Sequence, residues 1–146
     1  MTGVCFFFEN EDIDVWSGKN LDAWHYAIYA AKDINEILVI NRTEQILQNP
    51  NQDKYIFNTT KEIPELNGNI VGITVPWRQE ILNSFSLWEF DHQNIDWYCF
   101  GSAAGELPKY NIEVFIPQNG KGALHSVHIA SAVMLHRYGV LNWQSL

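Results

Sequence analysis

Three segments of the chain gather glycine, proline and small polar residues at the ends of β-favouring runs. They are Thr74-Val75-Pro76-Trp77, then Gly101-Ser102-Ala103-Ala104-Gly105-Glu106-Leu107-Pro108, then Pro117-Gln118-Asn119-Gly120-Lys121-Gly122-Ala123-Leu124-His125-Ser126. Small residues let backbone donors and carbonyls approach a ligand closely, and open α/β sheets bind ligands outside the carboxyl ends of their strands. These loops are the expected ligand site, although glycine-rich loops also serve as plain connections. His125 and His128 lie three apart, with His136 beyond. Without a companion cysteine or nearby carboxylate they read as loop or interface histidines, and no metal is expected.

The elements that must carry these loops follow from hydrophobic patterning. Gly3-Val4-Cys5-Phe6-Phe7-Phe8 is continuously apolar, as a strand buried on both faces of a parallel sheet requires. Asn20-Leu21-Asp22 can cap a helix over about 21–33, with Leu21, Trp24, Ile28 and Ala31 at helical spacing. A second strand spans Glu36 to Asn41, and this strand, helix, strand unit crosses over right-handedly if the strands are parallel. Thr43 to Gln48 suggests one helical turn, Asn49-Pro50-Asn51 a turn, and Lys54 to Thr59 a polar strand suited to an edge. Further strands are expected over 69–75, 95–100 and 111–116, with a helix from Arg78 to Trp88. A last helix carries Ile129, Ala130, Val133, Met134 and Arg137 up to a Gly139 cap. Six strands and about three helices make one layered domain over 1–146.

Composition narrows the function classes. The chain has 146 residues, 47% of them hydrophobic and 18% charged, so it forms a folded domain. Seventeen acidic residues against nine Lys plus Arg leave a net charge of −8, which disfavours non-specific nucleic-acid binding. A basic groove can still form locally through Lys19, Lys32, Arg42, Lys109 and Lys121. Phe6, Phe7, Trp97 and Phe115 read as core, and Trp16, Trp77 and Trp143 as stacking or interface candidates. The segment Glu9 to Asp14 reads as a solvated acidic loop. Cys5 and Cys99 sit in apolar runs and read as reduced core thiols. With no bilayer-spanning run and no secretion signal, a soluble, cytoplasmic protein without membrane partners is expected.

The order of the last two loops carries more information. Phe100 to Pro108, then Ile116-Pro117-Gln118, then a small-polar loop entering an Ala/Ser/Val helix resembles the ribose 2′-O-methyltransferase branch of the SPOUT class over about residues 95–138. The resemblance implies a single-domain, mostly parallel α/β sheet with a C-terminal trefoil knot, an exception to the rule that chains avoid knots. It implies S-adenosylmethionine held by Thr74, Val75 and Pro76, by Gly101, Ser102 and Gly105, and by Ile116, Gln118, Leu124 and Ser126. It also implies a homodimer through the knot region, with Leu21, Trp24 and Ile28 and with Val133, Met134 and Arg137 as interface candidates, and tRNA or another RNA as substrate.

Departures from the family pattern bear on catalysis. An arginine is usual some six residues after an asparagine on the first helix, but Asn20 is followed by Leu21-Asp22-Ala23-Trp24-His25-Tyr26. A ribose hydroxyl needs a base or cation to become a nucleophile, and His25 can act as that base near neutral pH. Ala103 replaces the family glutamate of the phenylalanine-glycine motif, with Glu106 three residues on; in the third motif Leu124 and Ser126, or Ala123 and His125, take the places of the usual serine and asparagine. The expected catalytic set is therefore His25, Glu106 and Ser126. The alternative is a catalytically degenerate homologue that binds S-adenosylmethionine or another nucleotide, or serves as a dimeric interaction module.

Overall fold

The computed structural model describes residues 2–8, 34–44, 46, 56–74, 84–101, 107–117 and 126–139. Seven strands are found among them: β1 Thr2–Phe8, β2 Ile34–Asn41, β3 Ile56–Thr60, β4 Ile70–Thr74, β5 Ser84–Ser86, β6 Trp97–Phe100 and β7 Ile112–Phe115. A 3-10 turn, Leu87–Glu89, follows β5, and one helix, α1, spans Ser126–Arg137. The strands form a single sheet in the order β3-β2-β1-β6-β4-β7-β5, with every pairing parallel. This is the α/β class read from the sequence.

Parallel pairing explains the composition of the central strands. All seven residues of β1 are buried, because side chains alternate between two covered faces. Val4, Phe6, Phe8, Val71, Ile73, Tyr98, Phe100 and Val114 fill one face with Ala130, Val133 and Met134 of α1 above them. Phe6 and Phe100, register partners on adjacent strands, stack with ring centroids 5.2 Å apart. On the opposite face Cys5, Phe7, Ile40, Ile70 and Cys99 lie under Ile63, Leu66, Leu107 and Tyr110. The tail of the chain thus seals one layer, and two irregular segments seal the other.

Two glycines let aromatic rings lie directly on the strands. A Cβ on Gly72 would stand 2.5 Å from the Tyr110 ring, and one on Gly3 would stand 2.7 Å from Trp97. Tyr110 spans this gap to donate from its hydroxyl to Glu113 Oε1 (3.2 Å), a carboxylate fully buried on β7.

Three expectations are corrected. The helix expected from Arg78 to Trp88 is, over its described part, a strand and a 3-10 turn: Ser84, Phe85 and Ser86 take the ladder offered by Glu113, Val114 and Phe115, and Leu87 is buried. Serine competes for backbone hydrogen bonds and yields little helix propensity to oppose this pairing. Thr43 and Glu44 do not begin a helical turn, because Asn41 Oδ1 accepts from the Thr43 N–H (3.0 Å) and hydroxyl (2.7 Å), closing a side-chain turn. Val133 and Met134, expected at a dimer interface, are 0% and 1% exposed within the chain's own core. Leu135 and Tyr138 are the outward apolar residues of that end.

Other expectations hold. The 36–41, 54–59, 69–75, 95–100 and 111–116 runs each contain a strand, β3 lies at an edge with a largely exposed pattern, and Gly139 ends the last helix at φ 73°. The helix expected over 21–33 and the Asn49-Pro50-Asn51 turn fall outside the described residues. No described helix is long and apolar enough to cross a membrane.

Candidate functional site

Since all strands run the same way, their carboxyl ends share one edge. Register places three of the expected ligand residues side by side there. Ile73 pairs with Phe100 on β6 and with Val114 on β7, and Thr74 pairs with Phe115. Gly101, one residue past Phe100, therefore stands level with Thr74 on one side, while Ile116 follows Phe115 on the other. Adjacent strands lie about 4.8 Å apart, so Thr74, Gly101 and the end of β7 form a continuous rim.

The rim has a polar centre and an apolar flank. The Thr74 hydroxyl is out of contact with water and has no hydrogen-bond partner among the described residues. An orphaned hydroxyl costs free energy unless something else supplies its partner. Ile116 is buried, and Gly101 contributes backbone alone. Such a rim can take a flat, mostly apolar ligand with polar atoms near its middle.

Ser126 opens α1, whose far end lies at the amino ends of the strands, where Arg137 donates to the Thr2 hydroxyl (3.3 Å). About 18 Å of helix separates Ser126 from that end. The remaining expected residues, His25, Val75, Pro76, Ser102, Gly105, Glu106, Gln118 and Leu124, lie outside the described residues, as do Trp16, Trp77, Trp143 and His125.

Sequence reasoning missed a second polar constellation. His92 Nδ1 lies 2.7 Å from the Tyr98 hydroxyl, and its Nε2 lies 2.8 Å from His136 Nδ1. His136 in turn hydrogen-bonds the Trp88 backbone, which leaves its Nδ1 as acceptor. The relay therefore runs from the Tyr98 hydroxyl to His92, from His92 to His136, and from His136 to the Trp88 carbonyl. Both ring nitrogens of His136 are thus engaged within this relay. Nothing in the sequence signals a pairing across 44 residues.

This relay makes stability depend on pH. Burial, with the neighbouring His136 and Arg137 charges, lowers His92 from 6.5 to about 4, and burial lowers His136 as well. Unfolded His92 binds its proton near 6.5, whereas the folded chain resists protonation until about 4, so the unfolded state binds more protons between those values. Stability is complete above the unfolded value and is lost as pH falls through that window. Full burial would make this about 3 kcal/mol; with the ring partly solvated, about 1–2 kcal/mol is expected. Urea unfolding across the window, repeated on His92→Gln, checks it: the variant should lose that part of the slope.

Parallel pairing throughout, with both faces of the sheet covered, places the chain among the open, doubly covered α/β folds. Comparison with solved structures is more specific. The structure is similar to one described as giving structural insights into 2-OH methylation of C/U34 on tRNA, at 14% identity and TM-score 0.62, covering 96% of this chain and 95% of that one. It is also similar to a Porphyromonas gingivalis protein assigned to the TrmH family of RNA methyltransferases, at 12% identity and TM-score 0.61, covering 93% and 59%. A third is the SpoU methyltransferase AviRb from Streptomyces viridochromogenes in complex with AdoMet, at 12% identity and TM-score 0.58, covering 94% and 59%. This chain spans about three-fifths of the latter two. No family model and no curated protein matches the sequence. The chain has the fold of the TrmH and SpoU type of SPOUT 2′-O-methyltransferases.

Proposed function

We propose that the chain is a ribose 2′-O-methyltransferase that uses S-adenosylmethionine to methylate RNA of tRNA-like form. The observation that carries this reading is the adjacency of Thr74, Gly101 and Ile116 on one rim, in a fold shared with AdoMet-bound methyltransferases. The residues fit an adenosyl group in two respects: a buried hydroxyl with no partner among the described residues can bond its polar edge, and a glycine leaves backbone accessible. In this reading Val75, Pro76, Ser102, Gly105, Gln118, Leu124 and Ser126 complete the cradle. The C-terminal segment threads as a knot around it, and two copies pair through that region.

When bound, the cofactor supplies an electrophilic methyl group on a sulfonium. The chain's part is to hold the ribose hydroxyl in line, which is worth several kcal/mol, and to take its proton. The base that takes this one proton is His25 or Glu106, and Ser126 completes the catalytic set. Calorimetric titration with S-adenosylmethionine followed by radiolabelled methyl transfer to bulk tRNA tests the whole. Binding with transfer supports it, binding without transfer identifies a nucleotide-binding homologue, and absence of binding removes both.

Thr74→Val separates ligand binding from folding. Removing a hydroxyl that has no partner among the described residues should leave stability unchanged or raise it by up to about 1 kcal/mol. Cofactor affinity should fall about three- to tenfold, because the ligand loses a bond the folded chain does not make itself. Denaturant midpoints and calorimetry on one preparation read both.

A further inference from the structure

Resting on the reading above, we infer that Arg42 is a phosphate-contact residue for the RNA substrate, a cation stationed at the carboxyl edge of the sheet two strands from Gly101. Arg42 is the first residue beyond β2, and its N–H donates to the Phe8 carbonyl (2.8 Å), carrying the β1–β2 ladder one step past the strand end. The Asn41 side chain, itself buried, accepts two hydrogen bonds from Thr43 and pins the backbone on either side of Arg42. The exposed guanidinium lies over the Phe7 ring, 5.6 Å from its centroid.

That ring places the charge. Phe6 pairs with Phe100, so Phe7 stands level with Gly101 on the neighbouring strand. By strand alternation Phe7, Gly101 and Thr74 face the same side of the sheet. The row therefore reads guanidinium, aromatic ring, glycine, orphaned hydroxyl, from β2 across to β4. An arginine over an aromatic face keeps its donors free for a planar oxyanion while its stem is held. Its place, two strands from Gly101 and three from Thr74, lies to the side of the cradle and suits a group arriving with the acceptor.

The chemistry to be matched is an oxyanion, which a polynucleotide phosphate or the carboxylate of the cofactor could each supply. The lateral position favours the phosphate. Glu44 and Glu62 on the same edge are exposed, so the patch is not broadly basic and one phosphate contact is the expected stoichiometry.

The test uses the full chain with total tRNA as probe, titrated at several salt concentrations, alongside S-adenosylmethionine calorimetry. Lys109→Ala is the control: the sequence groups Lys109 with Arg42 as a groove candidate, but in the structure it is exposed ahead of the amino end of β7, whereas Arg42 follows the carboxyl end of β2, so the variant removes the same charge without touching the proposed contact. Arg42→Ala should weaken tRNA binding about three- to tenfold at low salt and flatten the log–log salt slope by about 0.7–0.9, as one lost phosphate contact does. Its cofactor affinity and unfolding midpoint should stay at the wild-type values, and Arg42→Lys should recover most of the slope. The inference is overturned if Arg42→Ala behaves as Lys109→Ala does, if cofactor affinity falls instead, or if the wild-type chain binds cofactor but no tRNA. A wild-type chain that binds tRNA but no cofactor removes the parent reading and leaves the Arg42 comparison readable.

Discussion

Replacing Gly72 by valine is expected to destabilise the chain by about 3 kcal/mol, a large share of the 5–15 kcal/mol that holds a typical domain together. The new side chain would need space the Tyr110 ring occupies, since even its Cβ falls 2.5 Å from that ring. Forcing carbon into a packed layer costs about 1–3 kcal/mol. Displacing Tyr110 also breaks its bond to Glu113, whose carboxylate has no access to water. A buried acceptor that loses a donor costs about 1–3 kcal/mol more. A double-mutant cycle in urea checks the cause: in a Tyr110→Ala background the same valine should cost less than half as much. Equal costs in both backgrounds would place the effect in the β4 backbone instead.

Gly101→Val is expected to act on the ligand and spare the fold. Gly101 lies half-buried past the end of β6, so a side chain there interrupts no strand ladder. On the proposed reading the adenosyl group sits beside Thr74, and a valine at the neighbouring position competes with it for the rim. A clash of about 1–3 kcal/mol corresponds to a loss of roughly five- to 150-fold in cofactor affinity. Calorimetry measures it, with Thr59→Val on the exposed edge strand as a control for added bulk. Unchanged affinity in Gly101→Val would move the ligand away from this rim and take the proposed function with it.

The central strands were legible because burial on both faces leaves an unbroken apolar run, as in Val4 to Phe8 and Ile70 to Ile73. The end of α1 was legible because Gly139 supplies the left-handed turn that stops it. β5 was hidden: Ile81, Leu82, Phe85 and Trp88 recur at helical spacing, and only the edge of β7 makes Ser84-Phe85-Ser86 extended. Strand order was equally beyond sequence, since β6 inserts between β1 and β4 through contacts far apart along the chain. The same holds for His92, whose partners Tyr98 and His136 meet it only after the sheet and helix assemble. At the candidate site, glycine and proline marked the three loops, and register then showed that two of their strands flank the third. The inward turn of Val133 and Met134 could not be read from helical spacing alone, because Leu135 and Tyr138 lie on the same helix end at equally apolar positions.

The paired thiols in the middle of the sheet have a practical consequence. Cys5 and Cys99 face one another across β1 and β6 at 1% and 0% exposure, and a hydrogen bond from Cys5 together with burial pushes the Cys99 thiol up. An alkylating reagent therefore meets them only when the central strands part, so the rate of native-state labelling reports whole-molecule opening. A cysteine introduced on the surface would be modified first and alone, which makes the wild-type background a silent one for site-specific spectroscopic probes.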